Sequence, residues 1–248
     1  MNYSDSDKAS AFPEYGKRRS NDPNGKYKYG DEYPIQGGST AYWMQQLSKI
    51  IDGQDFVECD IKLSGKPQKR TFDKNEIIYE VISAIDRENS THLTADKNAS
   101  KYEGAGRKEL SIKIARRLKS LREILRDRKK GMKLIDKLAE KTADGNGRQN
   151  YSFATKFCHY ACFYLLQGLP EQDNYSIYDD VLGKSLPAYM EYYKLNKYTQ
   201  ENFKSYKIYS EVIDAIREKA AIETGYLISR NGFDHLLWYY HKGHPIQK

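Results

Sequence analysis

The chain has 248 residues, 39% of them hydrophobic and 30% charged, which is enough apolar material for one large domain or two small ones with a real core. Its three cysteines are too few for an iron–sulfur cluster and odd in number for a disulfide framework, and no apolar run approaches the ~18 to 20 residues of a membrane span. The net charge of +7 is placed unevenly: from Lys101 to Lys137 fourteen Lys or Arg stand against five Asp or Glu, a net of +9 that leaves −2 for the rest of the chain. A surplus this local points to a polyanionic partner, nucleic acid first, with a solvated basic helix as the plain alternative. The opening MNYSDSDKASAFPEYGKRRS has no apolar signal-peptide core, so a cytoplasmic location is expected.

Residues 1–38, rich in Ser, Asp, Asn, Gly and Lys with three spread prolines, predict an irregular arm before a helical domain over 39–248. Ser39 or Thr40 caps a helix from Ala41 to about Ile51, ended by Asp52-Gly53. Alternation over Phe56–Leu63, a turn at Ser64-Gly65-Lys66-Pro67 and a partner at Arg70–Phe72 predict one small hairpin. Asp73 caps the next helix, whose buried stripe is Ile77, Ile78, Val81, Ile82 and Ile85. The polar Ser90–Gly106 reads as a loop.

One long helix is expected over Lys108–Lys130, with Leu110, Ile114, Leu118, Leu121 and Leu125 at helical spacing and Gly131 as its breaker. A second helix runs from Lys133 to Ala143. The loop Asp144–Asn150 then precedes an apolar helix capped by Ser152, which Gln167-Gly168-Leu169-Pro170 ends. Tyr175–Tyr178 reads as extended, and Asp179 or Asp180 opens a helix through Tyr193. One amphipathic helix is expected from Thr199 to about Ile228, and a short last one from Gly232 to His241. The fold class is therefore mainly α, with at most a small β-hairpin.

The segment from Asn150 to Asp180 carries the chemistry. Helix, glycine-containing turn and helix, over about 133–167, can offer backbone N–H groups to a phosphate without reading sequence. Gly145, Asn146, Gly147, Arg148 and Ser152 are the candidate contacts there, with Lys113, Arg116 and Arg117 on the basic helix. Lys156 sits among Phe153, Ala154, Phe157 and Ala161. Desolvation favours a neutral amine, which is what a lysine nucleophile needs. An aspartate that ends an extended run and opens a helix is held by that helix's N–H groups. A carboxylate so fixed can stabilise positive charge developing at a sugar C1′. The plain alternatives are a lysine that snorkels past the core and an aspartate that only caps.

SFATKFCHY (152–160) followed by YSIYDD (175–180) resembles the lysine and aspartate segments of helix-hairpin-helix DNA glycosylases, their 8-oxoguanine branch above all. It is also similar to bacterial antiviral glycosylases that excise modified cytosines, glucosylated hydroxymethylcytosine included, from phage DNA. The closing FDHLLWYYHKG (233–243) is similar to the Leu/Trp-rich last helix of many such chains. The resemblance implies a helix-hairpin-helix bundle, a double-stranded DNA partner, base flipping, and Lys156 and Asp179 as the catalytic pair. Asp180 remains the alternative acid, and water the alternative nucleophile. Tyr42, Trp43, His159 and Trp238 are candidate base-pocket residues. Cys158 and Cys162 read as core cysteines, and no metal or cofactor is expected.

Overall fold

The computed structural model describes residues 38–63, 66–89, 105–140 and 150–241. Among these the chain is mainly helical, with one two-stranded antiparallel sheet, which agrees with the class expected from sequence. No helix of the described residues is long and apolar enough to cross a membrane. The described residues divide into two compact units, one up to Asn174 and one from Tyr175 onward. The expected arm at 1–38 lies outside the described residues except for Gly38.

In the first unit, helix α1 (Thr40–Ile51) starts where Ser39 Oγ accepts the Tyr42 N–H at 3.1 Å. Strands β1 (Phe56–Leu63) and β2 (Lys66–Asp73) pair in register from Phe56 opposite Asp73 to Leu63 opposite Lys66. The hairpin is longer than expected, because β2 already begins at Lys66. Helix α2 (Lys74–Asn89) opens with a reciprocal cap. Asp73 Oδ1 accepts the N–H groups of Asn75 and Glu76, and Glu76 Oε2 accepts the Asp73 N–H. Its stripe Ile77, Ile78, Val81, Ile82 and Ile85 is buried as predicted.

The expected long basic helix is instead three pieces: α3 (Ala105–Ala115), a 3-10 turn over Leu118–Ser120 with α4 (Leu121–Arg126), and α5 (Arg128–Ala139). Leu110, Ile114, Leu118, Leu121 and Leu125 are all buried, so the apolar spacing marked the right residues while missing the bends. The break falls at Asp127, not at Gly131. Asp127 Oδ1 accepts the N–H groups of Lys129 and Lys130 and caps α5, and Gly131 is buried inside that helix. A residue with a cap-competent side chain outweighs a glycine that packing can hold in helix.

Helix α6 (Tyr151–Leu165) is the hub of this unit and packs on α1, α2, α4 and α5. Its cap position is Asn150, and Ser152, expected as the cap, lies within the first turn. A bond from Asn150 N–H to Ala139 O at 3.2 Å links the end of α5 to the start of α6, and residues 141–149, over which the expected helix end at Ala143 and most of the expected loop Asp144–Asn150 fall, lie outside the described residues. A 3-10 turn over Pro170–Asp173 follows.

In the second unit, Tyr175–Tyr178 has no regular secondary structure and leads through Asp179, whose backbone is extended, into α7 (Asp180–Tyr192). The helix expected over 199–228 is broken at Ser205. A 3-10 turn at Asn202–Lys204 precedes α8 (Tyr206–Thr224), and Gly225 ends α8 at φ +70°, a conformation glycine reaches without strain. Helix α9 (Arg230–His241) closes the unit against α7 and α8.

Candidate functional site

Lys156 and Asp179 fall in different units, the lysine within 32–174 and the aspartate within 175–248. Lys156 lies in the middle of α6 and is only 6% exposed. Phe153, Ala154, Phe157, Cys158, Ala161 and Cys162 on the same helix are all buried. Helical spacing puts Ser152, Lys156, Tyr160 and Phe163 on one face, and of these Ser152, Tyr160 and Phe163 are half-buried. Lys156 is thus carried on a mostly apolar helix, with aromatic rings one and two turns further along. The His159 ring is 4% exposed and meets Tyr160 edge-on at 5.3 Å between centroids. Burial pushes the Cys158 thiol well up and the Cys162 thiol to about 12, so both stay protonated at neutral pH. Cys162 Sγ donates to Glu171 O at 2.8 Å. No group of three or more metal-ligating side chains occurs among the described residues.

The segment before Asp179 has no sheet partner among the described residues and is held by side chains. The Tyr206 hydroxyl accepts the Ser176 N–H at 2.8 Å and lies 3.1 Å from the Ser176 carbonyl, to which it donates. Asp234 Oδ2 accepts the Ile177 N–H at 2.7 Å, and the Tyr209 hydroxyl donates to Ile177 O at 2.6 Å. Side chains from α8 and α9 thus stand in for a neighbouring strand, which satisfies buried backbone groups that would otherwise destabilise the fold. The next residue, Tyr178, is half-buried and lies over Gly183. A Cβ at 183 would sit 2.8 Å from the Tyr178 hydroxyl. Tyr178 also meets Tyr209 edge-on at 5.3 Å.

These interactions deliver Asp179 to the N-cap of α7, where Oδ1 accepts the Val181 N–H at 2.7 Å. Asp180 is a different kind of residue. Its side chain is 66% exposed, Lys184 Nζ lies 2.5 Å from Oδ2, and Gln200 Nε2 donates to Oδ1 at 2.7 Å. Of the two acids, Asp179 is the one fixed by the backbone of the fold.

The other expected site residues are scattered. Gly145, Asn146, Gly147 and Arg148 lie outside the described residues. Lys113 Nζ sits 3.1 Å from Glu109 and 3.8 Å from Glu140, and Arg117 donates to the Lys113 carbonyl at 2.8 Å. Arg116 is exposed. Trp43 is a core residue, 3% exposed and edge-on to Phe72. The Tyr42 hydroxyl accepts the Asp60 N–H at 3.0 Å and burial raises it to about 12. Trp238 is half-buried on α9.

Sequence reasoning passed over Tyr206, Tyr209 and Asp234. The available signals were two tyrosines three apart on an amphipathic helix and a lone aspartate inside the apolar Phe233–Trp238 run.

A family model, HI_0787_N, described as an N-terminal domain, matches residues 60–163. The match begins within β1, ends within α6 and includes Lys156. No curated protein and no solved structure matches the chain.

Proposed function

We propose that this protein is a DNA N-glycosylase that flips a modified base out of duplex DNA and cleaves its N-glycosidic bond. The observation that carries the reading is a lysine, 6% exposed, on a mostly apolar helix, in a chain that also fixes an aspartate at a helix N-cap. Extrusion of the nucleotide costs a few kcal/mol, least for a damaged or mismatched base. As the C1′–N bond breaks, its electron pair leaves with the base and positive charge grows on the sugar, where the Asp179 carboxylate stabilises it. Either water or the Lys156 amine then attacks C1′. Water leaves an abasic site, whereas the amine leaves a Schiff base from which strand cleavage follows. The resemblance of the Lys156 and Asp179 segments to antiviral glycosylases makes modified cytosines of phage DNA the first substrates to try. In this reading the protein works in the cytoplasm.

The test is base release. Duplexes carrying ordinary, oxidised and glucosylated hydroxymethylated bases are incubated with wild type, Lys156→Gln, Asp179→Asn and Asp180→Asn, and freed base and alkali-labile sites are scored. Release that Asp179→Asn abolishes supports the reading, and borohydride trapping through Lys156 identifies the amine as nucleophile. Absence of release from every substrate, with duplex binding intact, refutes catalysis and leaves a nucleic-acid-binding module.

A further inference from the structure

Lysine is concentrated on the outward side of α5. Lys129, Lys133 and Lys137 follow one another at four-residue spacing, with Lys130 beside them, and all four are exposed. The opposite side of the helix, Leu134, Ile135 and Leu138, is buried. From Arg126 to Lys137 six Lys or Arg are set against only Asp127 and Asp136. Lys129 and Lys133 have no acidic partner among the described residues. Lys130 has Asp127 at 3.8 Å, and Lys137 has Glu140 at 3.0 Å. Lys113 and Arg122, by contrast, are taken up by Glu109 and by Asp52.

We propose that the Lys129, Lys130, Lys133 and Lys137 face of α5 is a sequence-independent docking surface for the phosphate backbone of duplex DNA. This rests on the proposal that duplex DNA is the substrate. Helical rise spreads Lys129 to Lys137 over roughly 12 Å. Duplex DNA carries a charge about every 1.7 Å of its axis, so roughly seven phosphate charges pass abreast of that span. Lysines are strongly hydrated point charges without the fork geometry that reads base edges, so the face positions DNA and does not select sequence. An anionic membrane is the poorer partner. A surface helix that binds lipid needs an apolar face to insert, and the apolar side of α5 is packed against α6.

The test is a salt titration of binding to a short fluorescein-labelled duplex of ordinary bases, followed by anisotropy between about 50 and 200 mM salt. The variants are Lys129→Gln/Lys133→Gln and a control of equal charge change, Lys207→Gln/Lys219→Gln, on the exposed side of α8. Each phosphate that the protein no longer neutralises lowers the slope of log affinity against log salt by about 0.9, which is roughly eightfold in affinity at 0.1 M. The α5 variant is expected to drop by about 1.8 in slope while the control keeps the wild-type value. Equal slopes for the α5 variant and wild type overturn the proposal. So does wild-type affinity for phosphatidylserine vesicles without salt-dependent affinity for the duplex. Base release by the wild-type protein is scored separately on the same series of modified duplexes. A reduced slope without base release from any substrate therefore keeps this surface and removes the glycosylase reading alone.

Discussion

Replacing Asp179 by asparagine separates its structural duty from its proposed chemical one. The carboxylate caps α7 through Oδ1, which accepts the Val181 N–H at 2.7 Å. An asparagine carbonyl oxygen can take the same bond, and Asn and Asp are equivalent caps to within a few tenths of a kcal/mol. What the substitution removes is the negative charge. Its interaction with the helix N-terminus is worth roughly 0.3–1 kcal/mol, so Asp179→Asn lowers stability by less than about 1 kcal/mol. Loss of one preorganised electrostatic group from a transition state lowers kcat by roughly 10²- to 10³-fold, about 2.7–4 kcal/mol. Asp179→Ala loses the cap as well, about 1 kcal/mol of stability. Asp180→Asn loosens an exposed ion pair with Lys184 that salt already screens, and leaves both stability and rate near wild type. Single-turnover base release and thermal melts on the three variants read both quantities. A rate for Asp179→Asn within a few-fold of wild type, or an equal loss in Asp180→Asn, would refute the assignment.

The remaining predictions concern what holds this frame. Tyr206→Phe leaves the buried Ser176 N–H and carbonyl without their partner and is expected to destabilise the chain by about 1–3 kcal/mol, read from urea unfolding; an unchanged midpoint would show that the segment before Asp179 is held otherwise. Gly183→Ala drives a methyl group to 2.8 Å from the Tyr178 hydroxyl and should destabilise the fold by on the order of 1 kcal/mol, seen as a lower Tm, part of which Tyr178→Phe restores by deleting that oxygen. Cys59, Cys158 and Cys162 are buried, and burial raises all three thiols, so a thiol reagent at pH 8 should react slowly with the native chain and fully with the denatured one. Fast labelling of the native chain counts against this packing. The Arg122 guanidinium, by hydrogen bond and charge, holds the Asp52 carboxyl below its ordinary 3.8. Its stabilisation is therefore full above the unfolded value and is lost as pH falls through the lower folded one. The Tm advantage of wild type over Arg122→Gln should accordingly be small at pH 7 and vanish in acid, and a gap that widens on acidification would reverse the sign.

Much of the helical frame was legible because apolar periodicity and caps are local. The stripe Ile77 to Ile85, the caps at Ser39 and Asp73, and the core leucines from Leu110 to Leu125 needed only neighbouring residues to define them. The bends at Arg116, Asp127 and Ser205 were not legible, because helix propensity is continuous across all three. What breaks the helix is packing against other elements together with a side-chain cap at one position. The candidate acid shows the same division. An aspartate opening a helix could be read from Tyr178-Asp179-Asp180, but two adjacent carboxylates were equivalent on paper.

What the sequence determined alone is the helical class, the local surplus of positive charge and the placing of one lysine in an apolar helix, since each follows from residue type and spacing along the chain. The tertiary structure alone decided which aspartate the fold holds, which basic side chains are tied up by acids and which face outward. Those depend on residues far apart in the chain: Asp52 with Arg122, Asp234 with Ile177, and Tyr206 with Ser176. No local pattern encodes such pairings, because each forms only when folding brings segments distant in the chain together.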